Sequence, residues 1–350
     1  MTSRTPILLV PSLFFCTLVF AEGQAWQEVT SGVDSTLRCV SFADKENAWA
    51  VGDKGGVLHS KDAGKTWEPV KTPSDGTLRG VHFVDKEHGF VVGDGDSDAP
   101  AARGHVVFGT GKPMKAGSLL ITTDAGTNWQ RTTIQTNFEL RAVWMASDKV
   151  GQICNHGGSH ADGDTIVTKN GGKGWRTDRV YRGLNDCFWL DEQEGWAVGS
   201  RVSVGFFPAP DDALYTEKRA RIVHTSDGGK TWAPVNAPGG SDLRRVRFAD
   251  KDTGVIVGDK GAILRTTDAG KTWEPVKTDV TANLFGLAFA DAKHGWIVGA
   301  GGVILETKDA GATWTSAASP TTKNLFSVDS ARGGASAVAV GADGTIIRIQ

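Results

Sequence analysis

The sequence predicts an all-β protein. It is a seven-bladed β-propeller of four-stranded antiparallel blades, with the ring closed by the N-terminal strand completing the C-terminal blade. Three observations predict it. The first is an eight-residue pattern, [Ser/Thr]-x-Asp-x-Gly-x-[Thr/Asn]-Trp, found at Ser60–Trp67, Thr122–Trp129, Thr225–Trp232, Thr266–Trp273 and Thr307–Trp314, with a weaker copy at Thr168–Trp175 where Asn170 replaces the Asp. The second is the period: Asp227, Asp268 and Asp309 stand 41 residues apart, and longer intervals elsewhere hold insertions. A four-stranded blade takes roughly 40–45 residues. The third is that the two chain ends supply complementary parts of one blade.

Within each period four short apolar runs keep one order, as Leu243–Val276 shows. Leu243–Phe248 reads as strand A, Thr253–Gly258 as B, Ala262–Thr267 as C and Trp273–Val276 as D. Each is rich in Val, Ile, Leu, Phe or Trp and bounded by Gly and Asp. Trp26-Gln27-Glu28-Val29 is a D strand with no A, B or C of its own, and Leu325–Gln350 supplies A, B and C with no D. Joining them leaves no orphan edge strand. The 12 tryptophans support the count, since every one has a place in a blade: Trp26, Trp67, Trp129, Trp175, Trp232, Trp273 and Trp314 open D strands, Trp49, Trp196 and Trp296 share one B-strand site, and Trp144 and Trp189 fall on A strands.

Met1–Ala21 reads as a secretory signal peptide, with Arg4 before a mostly apolar Ile7–Phe20 and a small residue at Ala21. An uncleaved anchor is the alternative. Residues 22–350 then form one propeller domain, exported to a periplasmic or extracellular space, or to a thylakoid lumen in a phototroph. Cys39, Cys154 and Cys187 are an odd set in the mature chain and no disulfide scaffold. They read as buried thiols, with a Cys154–Cys187 bridge as the alternative. A net charge of −2 argues against a general nucleic-acid or anionic-membrane binder.

The octet fits a hairpin between strands C and D. The Asp carboxylate is expected to accept from amides two residues on and from the Ser/Thr hydroxyl, the Gly to take a positive-φ turn position, and the Trp to fill the gap between blades. Asp62, Asp124, Asn170, Asp227, Asp268 and Asp309, with Trp67, Trp129, Trp175, Trp232, Trp273 and Trp314, therefore read as architectural.

Function is expected on the face that carries the B–C loops. Three unusual ones follow in consecutive blades, at Asp94–Gly117, Asn155–Asp164 and Ser200–Ala220. Arg38, Arg79, Arg141 and Arg244 fall near the starts of A strands, where the other blades have Asn185, Phe285 and Phe326. They are candidates for a ring at the channel mouth, with Arg103 and Arg201 added from the loops, and such a ring favours a carboxylate, a phosphate or an acidic peptide. The opposing expectation is that each arginine pairs with a blade carboxylate. His156, His160, Asp162 and Asp164 are candidate metal ligands without a strict ligand spacing, and no cofactor is expected. Asp94–Asp98 resembles a calcium loop only loosely, without the later Glu. For an enzyme the chain offers Tyr215 with Glu217 as its one close Tyr/Glu pair and no catalytic fingerprint, so a non-enzymatic role is expected.

The octet is the Asp-box, or bacterial neuraminidase repeat. His88–Gly93, Glu194–Gly199 and His294–Gly299 add a Gly-[Trp/Phe]-x-Val-Gly strand, each followed by strand C and the octet. With seven blades, this texture resembles the photosystem II stability/assembly factor family across nearly the whole mature chain. The resemblance implies an exported, non-enzymatic, monomeric scaffold that binds a protein or peptide, such as a subunit of an envelope or membrane complex, partly through an arginine-rich face. Arg38, Arg79, Arg141 and Arg244 are the candidates for that face. The long loops of blades 2 and 4 and the His/Asp loop depart from the family. A carbohydrate-binding or sialidase-like glycoside hydrolase propeller is the alternative.

Overall fold

The computed structural model describes residues 25–99, 101–106, 113–134, 139–156, 164–179, 183–200, 221–331 and 336–349. Seven four-stranded sheets are built in the order A–B–C–D. Their A strands are Leu37–Phe42, Leu78–Phe83, Glu139–Met145, Leu184–Trp189, Leu243–Phe248, Leu284–Phe289 and Leu325–Ser330, for blades 1 to 7. Each packs against the A strands of its two neighbours and so lines a central channel. Blade 7 takes its D strand from Gln27–Val29, which pairs antiparallel with Ile346–Ile349. The ring closes as predicted.

The core lies between blades. Strand A contributes its first, fourth and sixth residues, as with Leu243, Val246 and Phe248, which pack with Trp196, Phe188 and Trp273 in one cluster. Strand B is buried along its whole length in blade after blade. Such strands read as continuous apolar runs because both sheet faces are covered.

The octet forms its turn in a way the sequence only partly shows. Asp62 Oδ1 accepts from the amides of Lys65 and Thr66 at 3.0 and 2.9 Å. These are three and four residues on, not two, because the turn is wider than an Asx-turn. Thr66 Oγ1 donates to the other carboxylate oxygen, and Ser60 Oγ donates to Oδ1 while accepting from Gly64 N–H. Asp227, Asp268 and Asp309 repeat the pattern. Asn170 keeps the acceptor role toward Gly174 N–H at 2.8 Å. Two successive residues take positive φ, and the first is an alanine in four copies: Ala63, Ala125, Ala269 and Ala310.

Every A strand carries a β-bulge at its second position, between Leu37 and Cys39 in blade 1 and at the equivalent place in the other six. A bulge re-aims the extra side chain. The inner edge of an A strand has no fifth strand to pair with, and in blades 1, 2, 3 and 5 side chains of the neighbouring blade accept from its amides. Val40 and Phe42 amides donate to Ser327 Oγ and Asp329 Oδ2, the Phe83 amide to Ser41 Oγ, and the Met145 amide to His82 Nδ1. Cys39, Cys154 and Cys187 are buried free thiols, so the bridge alternative falls. Cys187 Sγ instead contacts Gln152 O, and Gln152 Nε2 donates to Cys154 Sγ.

Candidate functional site

The seven bulged residues converge. Arg38, Arg79, Arg141, Asn185, Arg244, Phe285 and Phe326 line one cavity of about 150 Å³ at the channel mouth on the B–C loop face. The mouth is two-sided. Blades 1, 2, 3 and 5 present guanidinium groups, while blades 6 and 7 present a phenylalanine pair with ring centroids 5.7 Å apart.

Both expectations for the arginines hold at once, since they form a ring and three are neutralised. Arg38 donates to Asp53 through Nε and Nη2, Arg79 to Asp94 at 2.8 and 2.8 Å, and Arg244 to Asp259 at 2.9 and 2.7 Å. In each case the carboxylate is the first residue after strand B. That position changes with its partner. Opposite Asn185 it is Ser200, bonded at 2.9 Å, and opposite Phe285 and Phe326 it is Ala300 and Ala342, small enough to leave room for a ring.

Arg141 is the exception, because its blade has His156 there in place of Asp. Its Nη1 reaches Asn185 Oδ1 at 3.2 Å and its Nη2 reaches Glu139 at 3.4 Å, a carboxylate that also lies 3.5 Å from Arg79. Its Nε is buried with no hydrogen-bond partner among the described residues. Burial, with repulsion from Arg79 and Arg244, holds the Arg141 pKa below the ordinary arginine value despite Glu139. Hydrogen bonds donated to Asp259 raise that of Arg244. For Arg79, burial acts downward but is outweighed by Asp94 and Glu139, so its pKa is raised. Arg141 is thus the guanidinium with unmet demand for an anion.

The blade 2 insertion stands on this face. Its backbone forms a two-stranded hairpin, Ala101–Val106 with Pro113–Lys115. The root of the hairpin is pinned by buried Asp96, which accepts from Ser74, Ser118 and the amides of Asp75 and Gly76. Burial acts to raise the Asp96 pKa, but these bonds overcome it and hold the group at about 2. Asp94 is tied to Arg79 and Asp98 to Arg131, so the carboxylates of the loosely calcium-like segment face protein donors.

Arg103 lies on the hairpin as backbone only, and Arg201 lies outside the described residues. The metal candidates His160 and Asp162 also lie outside them, as do Tyr215 and Glu217, and the side chains of His156 and Asp164 are not described. Among the described residues no three His, Cys, Asp or Glu side chains converge as a metal set, and no helix is long and apolar enough to cross a membrane. Sequence reasoning missed the matched pairs across strands A and B. The signal was present as a fixed spacing of 15 residues, Arg38 to Asp53, Arg79 to Asp94 and Arg244 to Asp259.

The family model described as photosynthesis system II assembly factor YCF48 matches residues 202–280 and 268–332. Among solved structures, "YCF48 bound to D1 peptide" is similar at 19% identity and a TM-score of 0.68, over 93% of this chain and 96% of that one. YCF48 from Cyanidioschyzon merolae gives 19% and 0.68, over 93% and 99%. A GH74 xyloglucanase from Xanthomonas campestris has 13% identity and a TM-score of 0.66, and the match spans 53% of its length. No curated protein matches in sequence. At these identities the solved structures establish the propeller. Sequence from the blade 4 insertion to strand A of blade 7 matches the family model, and the described residues share the seven-bladed propeller fold of the two YCF48 structures.

Proposed function

We propose that this propeller is an exported, non-enzymatic scaffold that binds an acidic peptide segment of a membrane-complex subunit at the channel mouth, as in assembly of photosystem II. The observation that carries this reading is Arg141. In a ring where three arginines each hold their own aspartate, among the described residues its Nε is buried without a partner and its one carboxylate contact, Glu139, is shared with Arg79. A ligand carboxylate would supply the missing acceptor. The Phe285–Phe326 side offers an apolar contact to the same segment. The solved YCF48 structure with a D1 peptide supports a peptide ligand by likeness of fold. The non-enzymatic part is supported by Asp53, Asp94 and Asp259, whose oxygens are occupied by guanidinium donors and so are not poised for acid–base work. The mostly apolar run before residue 21 supports export.

The test is calorimetric titration with a peptide carrying a free C-terminal carboxylate, acidic residues and one apolar side chain. Wild type should bind it. Arg141→Gln should weaken binding roughly ten- to a hundredfold, the worth of one charge-assisted hydrogen bond. Equal affinity for both proteins, or for a neutral amidated peptide, would move the site away from the mouth.

A further inference from the structure

Strand A of blade 5 carries more cationic charge than the mouth uses. It reads Leu243-Arg244-Arg245-Val246-Arg247-Phe248. The bulge turns Arg244 to the mouth. Arg245 and Arg247, on alternate positions after it, enter the channel. There a second cavity of about 290 Å³ opens toward the A–B turn end, opposite the mouth.

Asp186 of blade 4 is their shared counter-ion. Its side chain is 2% exposed. It accepts from Arg247 Nη1 at 2.7 Å, Arg245 Nη1 at 3.3 Å and the Val246 amide at 3.0 Å. Arg247 is further held by Val246 O at 2.6 Å and lies 4.7 Å over the Trp144 ring. Arg245 makes one long hydrogen bond, to Asp186, and lines the cavity, where Asp329 also attracts it. Two guanidinium groups and one backbone amide therefore share the Asp186 carboxylate. Asp329 of blade 7 also lines the cavity, with one oxygen held by the Phe42 amide. Trp144 packs between His82 and Phe188, at 4.2 and 4.8 Å, and forms a rigid wall.

We propose that the channel holds a small oxyanion, of carboxylate or phosphate size, at Arg245 and Arg247. This second site is separate from the peptide mouth and does not depend on it. The planar guanidinium fork presents parallel donors that match an oxyanion, and enclosure strengthens the attraction relative to water. The cavity lies just below the usual range for organic-ligand pockets, which restricts the occupant to few heavy atoms.

The experiment is thermal unfolding of the full chain with inorganic phosphate or succinate, against chloride at equal ionic strength. Wild type should show a saturable rise of about 2 °C at tenfold excess over Kd. The rise should disappear in Arg245→Gln and persist in Arg141→Gln. Which of the two anions gives it at lower concentration distinguishes a phosphate from a carboxylate occupant. No saturable rise with either anion overturns the proposal, as does a rise kept by Arg245→Gln and lost by Arg141→Gln. Should Arg245→Gln fail to fold, wild-type crystals soaked in selenate decide: an anomalous peak at Arg245 and Arg247 is expected, and a peak only at the mouth, or none, overturns it.

Discussion

His59 on strand C of blade 1 lies flat against Trp49, with ring centroids 3.9 Å apart and planes within 8°. Its Nε2 meets Asn47 Oδ1 at 3.1 Å. Burial, aided by Lys61, lowers its pKa from an ordinary 6.5 to about 4. Between those values the unfolded chain binds a proton that the folded chain refuses. Stability should therefore fall as pH drops from about 6.5 to about 4 and gain nothing further above that window. Urea midpoints across the window should decline less steeply for His59→Gln than for wild type, and identical slopes would remove His59 from the explanation. Equivalent positions in blades 4 and 6 are built differently. His224 bonds Glu194 at 2.6 Å, and His294 bonds Glu306 at 2.7 Å with the two residue types exchanged. One cross-strand contact is met by three different pairs, which is why single-residue motifs at this place are hard to read from sequence.

At the scale of one turn, the octet glycine answers two demands. Gly126 has φ of 73°, a region that L side chains enter at a cost of roughly 1–2 kcal/mol. A Cβ on it would also lie 2.1 Å from the Trp49 ring of the preceding blade. The glycines at 64, 270 and 311 are likewise closed off, against Val338, Trp196 and Val255. Gly239 is the internal control, with φ of 84° and nothing within 4 Å of a built Cβ. Gly239→Ala should thus cost only the backbone part, and Gly126→Ala should cost roughly 1–3 kcal/mol more through overpacking. Equal losses in urea denaturation would mean that the turn accommodates the methyl group by moving off the neighbouring blade. The same turn places Ala125, Ala269 and Ala310 at φ of 55° to 57°, a conformation that the six-copy alignment of the octet does not reveal, since alanine there looks ordinary.

The whole ring depends on the joint between the chain ends. Gln27, Glu28 and Val29 pair with Arg348, Ile347 and Ile346. Trp26, 5% exposed, meets Trp296 edge-on at 6.1 Å. Trp26→Ala should lower stability by about 3–5 kcal/mol, as for other buried tryptophans, read from urea denaturation. A loss below 1 kcal/mol would show that the joint is not part of the cooperative unit. The blade 2 insertion leaves from a B–C connection, so the ring sets the start of its hairpin on the face of the arginine mouth.

Blade number, strand order and closure were legible in the sequence because each is encoded locally. An apolar run of five or six residues between Gly and Asp is a strand, and the octet marks every C–D hairpin but the one split by the chain ends. The positions of Arg38, Arg79, Arg141 and Arg244 followed from strand order alone. What those arginines meet was decided by tertiary structure, since register across strands A and B sets Asp53, Asp94 and Asp259 beside three of them and leaves Arg141 without its own. The pairing of Arg245 and Arg247 with Asp186 was also invisible, because the residues sit in different blades some 60 positions apart. Local patterning builds a blade, but charge balance in the channel is a sum over seven blades, and only the closed ring brings those groups within bonding distance.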